Sequence, residues 1–379
     1  MAKRALLVGC NYPGSDSELG GCVNDVTNMR QTLIDVYGFD ASNIVFMIDT
    51  DPDAGIYFPT GKNILQCLTE LIEVSEEGDV LVFYFSGHGG QIPAESGDQE
   101  DDGQDECIFS TDMNQLTDDS FRVILANLRS GVTFTYVSDS CCSGGMLDSA
   151  ELQVGIGETN DVGDETELTE NDLEALSTDA PQAGKRISLD SLMQSLANAS
   201  GHDVTLGTIR TTMYEVFKED ASPTVKVYIR NMLERLQSTP PEEWAELYGE
   251  NGVAALQHLQ QIWDDENIDN DEFFAAALNV SGPLNFNGHA NAKPDGETLP
   301  AEMGILISGC ESDQTSADLG TGGALSIAIQ TVIAAHGGRI SNAQLVNQVR
   351  QIMVKKELEQ RPCLYCSEDK VDANFICEV

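Results

Sequence analysis

Two residues that could do chemistry together, His88 and Cys141, each follow an apolar run that is typical of a buried β-strand. The first run covers residues 79–85 and the second covers residues 133–137. Because the carboxyl ends of parallel strands meet at one edge of an open α/β sheet, we expect the imidazole and the thiol to lie side by side. An imidazole that takes the proton of a thiol produces a nucleophile for covalent acyl transfer.

The residues around this pair support the same chemistry. His88 stands between Gly87 and Gly89, and glycine lets a backbone N–H group approach a substrate closely. The N–H groups of Gly89 and Cys141 are therefore predicted to form an oxyanion hole. His88 lies about 50 residues upstream of Cys141, a spacing known from caspases. Cys142 is a rival nucleophile, and a buried structural role is the alternative for either cysteine.

The composition excludes several classes of function. The formal charge of -43 repels nucleic acid and anionic membranes, whereas it suits Ca²⁺ or basic protein segments. Self-repulsion between acidic pocket walls favours a monomer. The sequence contains no run of the length of a membrane helix and no secretory signal after Met1. Ten cysteines spread along the chain are typical of a reducing compartment, so we expect a cytoplasmic protein.

The pattern along the chain predicts one α/β sheet with a large insertion. Strand and helix alternate over residues 1–150, which favours a mostly parallel sheet flanked by helices. Residues 151–180 are acidic and poor in large apolar groups, so we expect a flexible linker there. Helical patterns fill much of 187–279, and the α/β pattern resumes near residue 301. Two helices and strands over 304–308 and 371–377 are predicted for this last part.

Several motifs closely resemble the metacaspases, a branch of the caspase-like cysteine peptidases. The catalytic motifs are Tyr-Phe-Ser-Gly-His-Gly, ending at Gly89, and Ser-Asp-Ser-Cys-Cys-Ser-Gly-Gly, ending at Gly145. The segments 20–26, 59–63, 307–318 and 371–375 also look like that family. The long insertion and the lack of an N-terminal prodomain are similar to type II, the plant and algal sort. One departure is Cys142, where the family usually has histidine.

The resemblance implies a caspase-like fold and a division into three regions. These are a large catalytic subunit over 1–150, an acidic linker with a helical autoinhibitory insertion over 151–300, and a small subunit over 301–379 that completes the sheet. It also implies cleavage of protein substrates after Lys or Arg.

The residues themselves allow a pocket for a basic side chain. Asp139 lies two residues before Cys141 and so shares its strand face. Asp25 and Ser86 match the other pocket residues of the family. An acid that interacts with a helix dipole is the alternative role for Asp25.

The resemblance also implies a calcium site. The acidic loop 98–106 begins like an EF-hand but has Phe109 where the closing Glu should stand, so an EF-hand is not predicted. By resemblance, Asp105, Asp118, Asp119 and Asp148 hold an activating Ca²⁺ ion. Solvated surface acids are the alternative.

The insertion also offers a candidate for self-inhibition. It carries basic residues at Lys185, Arg186, Arg210, Lys218, Lys226, Arg230 and Arg235. We expect one of them to fill the pocket, and the segment around Lys226 looks most like the family's cleavage segment. The Pro-Thr-Val sequence before Lys226 favours extended backbone, although a surface lysine on an amphipathic helix is the alternative.

The sequence therefore predicts a Ca²⁺-dependent cysteine endopeptidase that is made as a zymogen and cuts itself after Lys226. The alternative is an inactive, acidic Ca²⁺-binding scaffold related to metacaspases. Gingipain- and legumain-like proteases share the His/Cys layout but are secreted. The pair Cys363 and Cys366 has the spacing of a redox or zinc motif, but no second pair accompanies it.

Overall fold

The computed structural model describes residues 1–93, 104–141, 152–154, 183–263, 304–310 and 314–376. A seven-stranded, mostly parallel sheet with helices on both faces forms its centre, as the strand–helix alternation predicted. Its strand order is β2-β1-β3-β7-β10-β12-β8. These strands are β1 (Lys3–Gly9), β2 (Ile44–Ile48), β3 (Val80–Ser86), β7 (Thr133–Asp139), β8 (Leu152–Val154), β10 (Ile305–Ser308) and β12 (Cys363–Cys366).

Two small sheets accompany the central one. The first contains β4 (Gly89–Pro93), β5 (Gln104–Phe109) and β6 (Gln115–Thr117), and the second pairs β9 (Ala183–Gly184) with β11 (Ala317–Asp318). The helices of the α/β part are α1 (Cys22–Asp35), α2 (Gly61–Glu73), α3 (Asp118–Leu125), α8 (Ala324–His336), α9 (Asn342–Lys355) and the short α10 (Glu368–Val371).

The buried strands explain the three-layer packing. All seven residues of β3 are buried, as expected of a central parallel strand covered on both faces. Its side chains alternate between two apolar clusters, so that Phe83 packs towards α2 and α3, whereas Tyr84 packs towards α1 and α8. The Thr60 side chain caps α2 by accepting from the Asn63 N–H, a role that threonine favours.

The insertion adds four helices on one side of the sheet. They are α4 (Leu189–Ser200), α5 (Ile209–Phe217), α6 (Pro223–Ser238) and α7 (Trp244–Trp263). Their apolar residues, among them Leu192, Met213 and Ile229, join the same cluster as α2 and α3. The insertion therefore shares a core with the catalytic part. None of the helices in the described ranges has both the length and the apolar character needed to cross a bilayer.

Two local predictions were wrong. Where a final strand was predicted over 371–377, the described residues 371–376 are the end of a short helix followed by loop, and the last strand in the described ranges is β12, which runs antiparallel to β10. The linker expected from residue 151 onward begins with an ordered edge strand, since β8 pairs with β12. A three-residue strand with an available neighbour is too short for composition to reveal. Most of the remaining linker, residues 155–182, lies outside the described part.

Candidate active site

The ends of β3 and β7 bring His88 and Cys141 together. The two strands are parallel neighbours with Ser86 opposite Asp139, and each candidate follows its strand by two residues. The backbones of these two segments nearly touch. A Cβ atom added to Gly89 would lie only 1.9 Å from the carbonyl oxygen of Cys141. Only glycine permits this approach. The edge of the sheet thus places the imidazole-bearing and thiol-bearing segments side by side.

Two groups that the sequence did not single out hold His88. Its backbone N–H donates to the Tyr12 hydroxyl at 2.8 Å, and its Nε2 lies 2.7 Å from the Ser17 carbonyl oxygen. A carbonyl can only accept, so Nε2 carries the hydrogen, and Nδ1 is the basic nitrogen of the neutral ring. Burial lowers the pKa of His88 from 6.5, against the raising effect of the Ser17 and Lys185 carbonyls. The imidazole is therefore a neutral base at pH 7.

Cys141 is fully buried beneath a segment of the C-terminal region. Its Sγ accepts a hydrogen bond from the Ser316 N–H at 3.0 Å, and Cys310 packs beside it. An N–H group directed at sulfur favours the thiolate, which is the reactive form. Cys142, the rival nucleophile, lies outside the described residues.

The three predicted pocket residues surround one buried ammonium group, that of Lys185. Its Nζ lies 3.0 Å from Ser86 Oγ, 3.1 Å from Asp139 Oδ1 and 3.4 Å from Asp25 Oδ2. The backbone carbonyl of Asp139 is 3.2 Å away, and Ser86 Oγ donates to Asp25 at 2.7 Å. Asp25, Ser86 and Asp139 thus form a cation pocket in this structure, with a lysine of the same chain inside it.

Charge and burial oppose each other in this pocket. Burial would lower the pKa of Lys185, but the carboxylates of Asp139 and Asp25 raise it well above its ordinary value. Burial raises the pKa of Asp25 from 3.8 to about 6, although Lys185 partly offsets that rise. A buried ion pair of this kind costs desolvation, and removal of one partner costs more because it strands the other charge.

The start of α8 forms the remaining wall of the pocket. The Gly323 N–H lies 2.9 Å from both carboxylate oxygens of Asp25, and the Ser326 N–H donates to Asp139 at 3.0 Å. A Cβ atom on Gly323 would lie 2.3 Å from the Lys185 ammonium. Sequence reasoning missed Gly323 and Ser326, because both lie beyond the segment 307–318 that resembles the family, and no local pattern marks them.

The backbone around Lys185 lies extended across the active-site edge. The Lys185 carbonyl accepts from the Gly89 N–H, and the Lys185 N–H donates to the Ser316 carbonyl, both at 2.9 Å. Ile187 N–H donates to the Gly89 carbonyl at 3.0 Å. Gly89, one of the two predicted oxyanion donors, is thus bonded to the carbonyl of the residue whose side chain fills the pocket. This is how a peptide lies when it adds a strand to a binding groove.

The placement expected for Lys226 was wrong. Lys226 lies in the first turn of α6, and its N–H donates to the Ser222 carbonyl at 3.1 Å. Pro223 is the first residue of that helix, a position where proline is favoured because its missing N–H is not needed. The proline therefore starts a helix instead of keeping the segment extended, and Lys185 takes the place in the pocket.

The described calcium candidates lie near the start of α3. Strands β5 and β6 pair with Cys107 opposite Thr117, so Asp105 lies at the end where Asp118 and Asp119 follow. Asp105 is paired with Arg210 of the insertion at 3.2 Å, and Asp119 with Arg122. Hard carboxylate oxygens of this kind suit Ca²⁺. Asp148, the fourth candidate, lies outside the described part.

The pair Cys363 and Cys366 stands on β12, and both residues are buried. Only Cys366 belongs to the main apolar cluster on its side of the sheet. Among the described residues, neither joins a group of side chains able to hold a metal.

Comparison with known proteins identifies the family. The family model described as "Metacaspase, peptidase C14 domain" matches residues 3–150. Metacaspase-6 of Arabidopsis thaliana is 39% identical over the whole of both chains, and Metacaspase-4 of the same plant is 35% identical over the whole of both. The chain belongs to the metacaspase family.

This metacaspase is a cysteine peptidase, a hydrolase of proteins, as its family indicates. Its full-length likeness to plant relatives agrees with type II. The fold is also similar to that of a solved structure, protein GSU0716 from Geobacter sulfurreducens, with a TM-score of 0.52, 16% identity and full coverage of both chains. That likeness concerns the caspase-like α/β fold alone.

Proposed function

We propose that this metacaspase is a Ca²⁺-dependent cysteine endopeptidase that cleaves proteins after Lys or Arg, is made as a zymogen and first cuts itself after Lys185. The observation that carries the proposal is the position of Lys185, with its side chain between Asp25 and Asp139 and its carbonyl on the Gly89 N–H. A protein substrate would take the same place, with its own basic residue in the pocket.

The specificity follows from charge. Two buried carboxylates and the Ser86 hydroxyl stabilise a cation, whereas an acidic side chain would place a third negative charge in a desolvated site. A neutral side chain would leave both carboxylates without a counter-charge. The pocket accordingly selects Lys or Arg at the residue before the cut.

The reaction uses the groups already described. Nδ1 of His88 takes the thiol proton of Cys141, and the thiolate attacks the carbonyl carbon of the basic residue. The carbonyl oxygen becomes an oxyanion that the Gly89 and Cys141 N–H groups stabilise. Collapse breaks the C–N bond, and the imidazolium returns its proton to the leaving amine. Water then hydrolyses the thioester, which releases the carboxylic acid and restores the thiol.

The zymogen state follows from the same contacts. Lys185 fills the pocket, and its backbone bonds to Gly89 and Ser316 beside Cys141, so an external peptide cannot take this place until residues 183–187 leave. Cleavage of the Lys185–Arg186 bond frees one end of this segment. The cut would therefore convert a bound inhibitor into a displaceable product.

Calcium dependence is supported by the acids beside α3. Asp105, Asp118 and Asp119 supply hard oxygen ligands, and bound Ca²⁺ would supply positive charge to them. Arg210 of the insertion now neutralises Asp105 and stacks on Tyr228, 5.4 Å from its ring centre. Arg210 must leave Asp105 if that carboxylate binds Ca²⁺, so the acids and the insertion are linked through one ion pair.

The decisive experiment compares reporter peptides that end in Arg, Lys or Asp, with and without Ca²⁺. We expect the parent protein to hydrolyse the Arg and Lys peptides only when Ca²⁺ is present. The Cys141→Ala protein should hydrolyse none of the peptides. A Cys141→Ala protein that processes itself as the parent does would overturn the proposal in favour of another nucleophile. Hydrolysis of the Asp peptide would overturn the specificity. We also propose that the protein is a monomer and is located in the cytoplasm.

A further inference from the structure

Three side chains outside the active site converge where the helices of the insertion meet. His202 follows Gly201 at the end of α4, Glu215 lies on α5, and His258 lies on α7. Their nearest ligand atoms all lie within 4.8 Å of one another. The peptidase chemistry uses none of them.

The individual distances show how tightly the three groups cluster. Glu215 Oε2 is 2.7 Å from His202 Nε2 and 3.4 Å from His258 Nε2, and the two imidazole rings lie 4.8 Å apart at their centres. One carboxylate oxygen therefore faces one nitrogen from each ring. Three segments of the chain supply one potential ligand each.

We propose that His202, Glu215 and His258 bind a divalent transition metal ion of the zinc type. Neutral imidazole and carboxylate are ligands that Zn²⁺ accepts at about 2.0–2.2 Å, which places tetrahedral ligand atoms about 3.4 Å apart. The distance between Glu215 and His258 already has that value. The contact between His202 and Glu215 needs to widen by less than 1 Å. Two histidines and one glutamate leave a fourth position for water.

The surroundings suit a bound cation. The His258 side chain is 13% exposed, whereas those of His202 and Glu215 are about one-third exposed, so an ion can reach the site from solvent and contact a partly buried imidazole. The formal charge of -43 attracts cations to the whole molecule. The ligand set differs from the acids beside α3, because two imidazoles select transition metals over Ca²⁺.

A metal here would join parts of the insertion that are distant in sequence. It would tie the end of α4 to α5 and to α7, and α4 begins four residues after Lys185. The ion would stabilise the folded insertion by binding the native state alone. The inference does not depend on the peptidase activity, since these residues contact none of the catalytic groups described above.

The test uses the full chain with Cys141→Ala, which removes self-cleavage and the catalytic thiol. The protein has five histidines, so ¹⁵N-histidine labelling yields a resolvable spectrum during titration with ZnCl₂. We expect the ring nitrogens of His202 and His258 to shift together and saturate at one equivalent. The same ion should raise the melting temperature of the protein.

Two variants decide the outcome. His258→Gln should weaken the binding at least ~10-fold and abolish the thermal shift, whereas His336→Gln, which alters a histidine on α8 that pairs with Gln348, should change neither. Zn²⁺ that shifts His88 alone, or that binds with equal affinity to the His258→Gln protein, would assign the ion to other groups and overturn the proposal. An unchanged pair of His202 and His258 signals would also overturn it and leave the cluster as a hydrogen-bonded ion pair.

Discussion

The ammonium of Lys185 lies 3.1 Å from Oδ1 of Asp139, in a site from which water is excluded on all sides. Asp139 lies two residues before Cys141, so in the proposed reaction the group that binds the basic side chain and the group that attacks stand on one short segment. Binding and cleavage of a basic residue would therefore be geometrically coupled.

The first prediction concerns the position of the first cut. In Lys185→Gln, Ca²⁺ should produce no fragment ending at residue 185, because a neutral amide cannot compensate the two pocket carboxylates. Intact-mass measurement of the products checks this. Lys226→Gln is the matched control and should process as the parent does, since Lys226 lies in a helix. A Lys185→Gln protein with the parental fragments would exclude Lys185.

The second prediction concerns the pocket wall. Gly323→Ala places a methyl group where the substrate ammonium would lie, 2.3 Å from the present Lys185 Nζ. We expect kcat/KM for Lys reporter peptides to fall about 100-fold, since small misplacements at a reacting site have effects of this size. Thr321→Ala, two residues upstream and exposed, is the control. Circular dichroism of both variants verifies the fold, and full activity of Gly323→Ala would contradict the pocket geometry.

The third prediction is a titration of Asp25. Its pKa of about 6 in the folded protein is above the ordinary 3.8, so the folded state holds that proton more tightly than the unfolded state. The stability that Asp25 contributes is therefore present below about pH 4 and is lost as the pH rises to about 6. Carboxyl-carbon NMR of the Cys141→Ala protein should show this titration. Lys185→Met should raise the pKa further, because it removes the charge that lowers it; a fall would contradict the assignment.

The fourth prediction concerns Arg210. Arg210→Gln removes the cation that competes for Asp105, so less Ca²⁺ should be needed for activation. The pair is almost fully buried, and a competing interaction of even about 1 kcal/mol corresponds to an approximately fivefold lower half-activating concentration. Arg230→Gln, on the neighbouring helix α6, should leave that concentration unchanged. The measurement is reporter hydrolysis against Ca²⁺ concentration, and a higher requirement in Arg210→Gln would argue against competition.

Much of the sheet was predictable because the signals were local. Continuous apolar runs predicted β3 and β7, and the α/β pattern that resumes near residue 301 predicted the two helices observed there as α8 and α9. The run 371–377 misled because short apolar segments occur in loops as well as strands. There Phe375 and Ile376 are buried as loop residues, and only an isolated bridge joins Asn374 to Ser341.

The candidate site was predictable in part, again only where the signals in the sequence were local. Strand ends and motif spacing indicated His88, Cys141 and Asp139, whose positions follow from one strand pair. Which basic residue fills the pocket depends on contacts between residues more than 120 positions apart in the sequence. The hydrogen bond between Lys185 and Ser316 is one of them. No local pattern distinguishes Lys185 from the other basic residues of the insertion. The cluster of His202, Glu215 and His258 was invisible for the same reason.

The pairing of β7 with β10 decides what becomes of the molecule after the cut. A break after Lys185 leaves β7 on one product and β10 on the other, yet four consecutive residue pairs join these strands in the buried centre of the sheet. The two products cannot part without exposing that interior to water. A chain cut after Lys185, as proposed, should thus remain a nicked, non-covalent heterodimer: denaturing electrophoresis should separate its two products, whereas native mass spectrometry should detect a single particle.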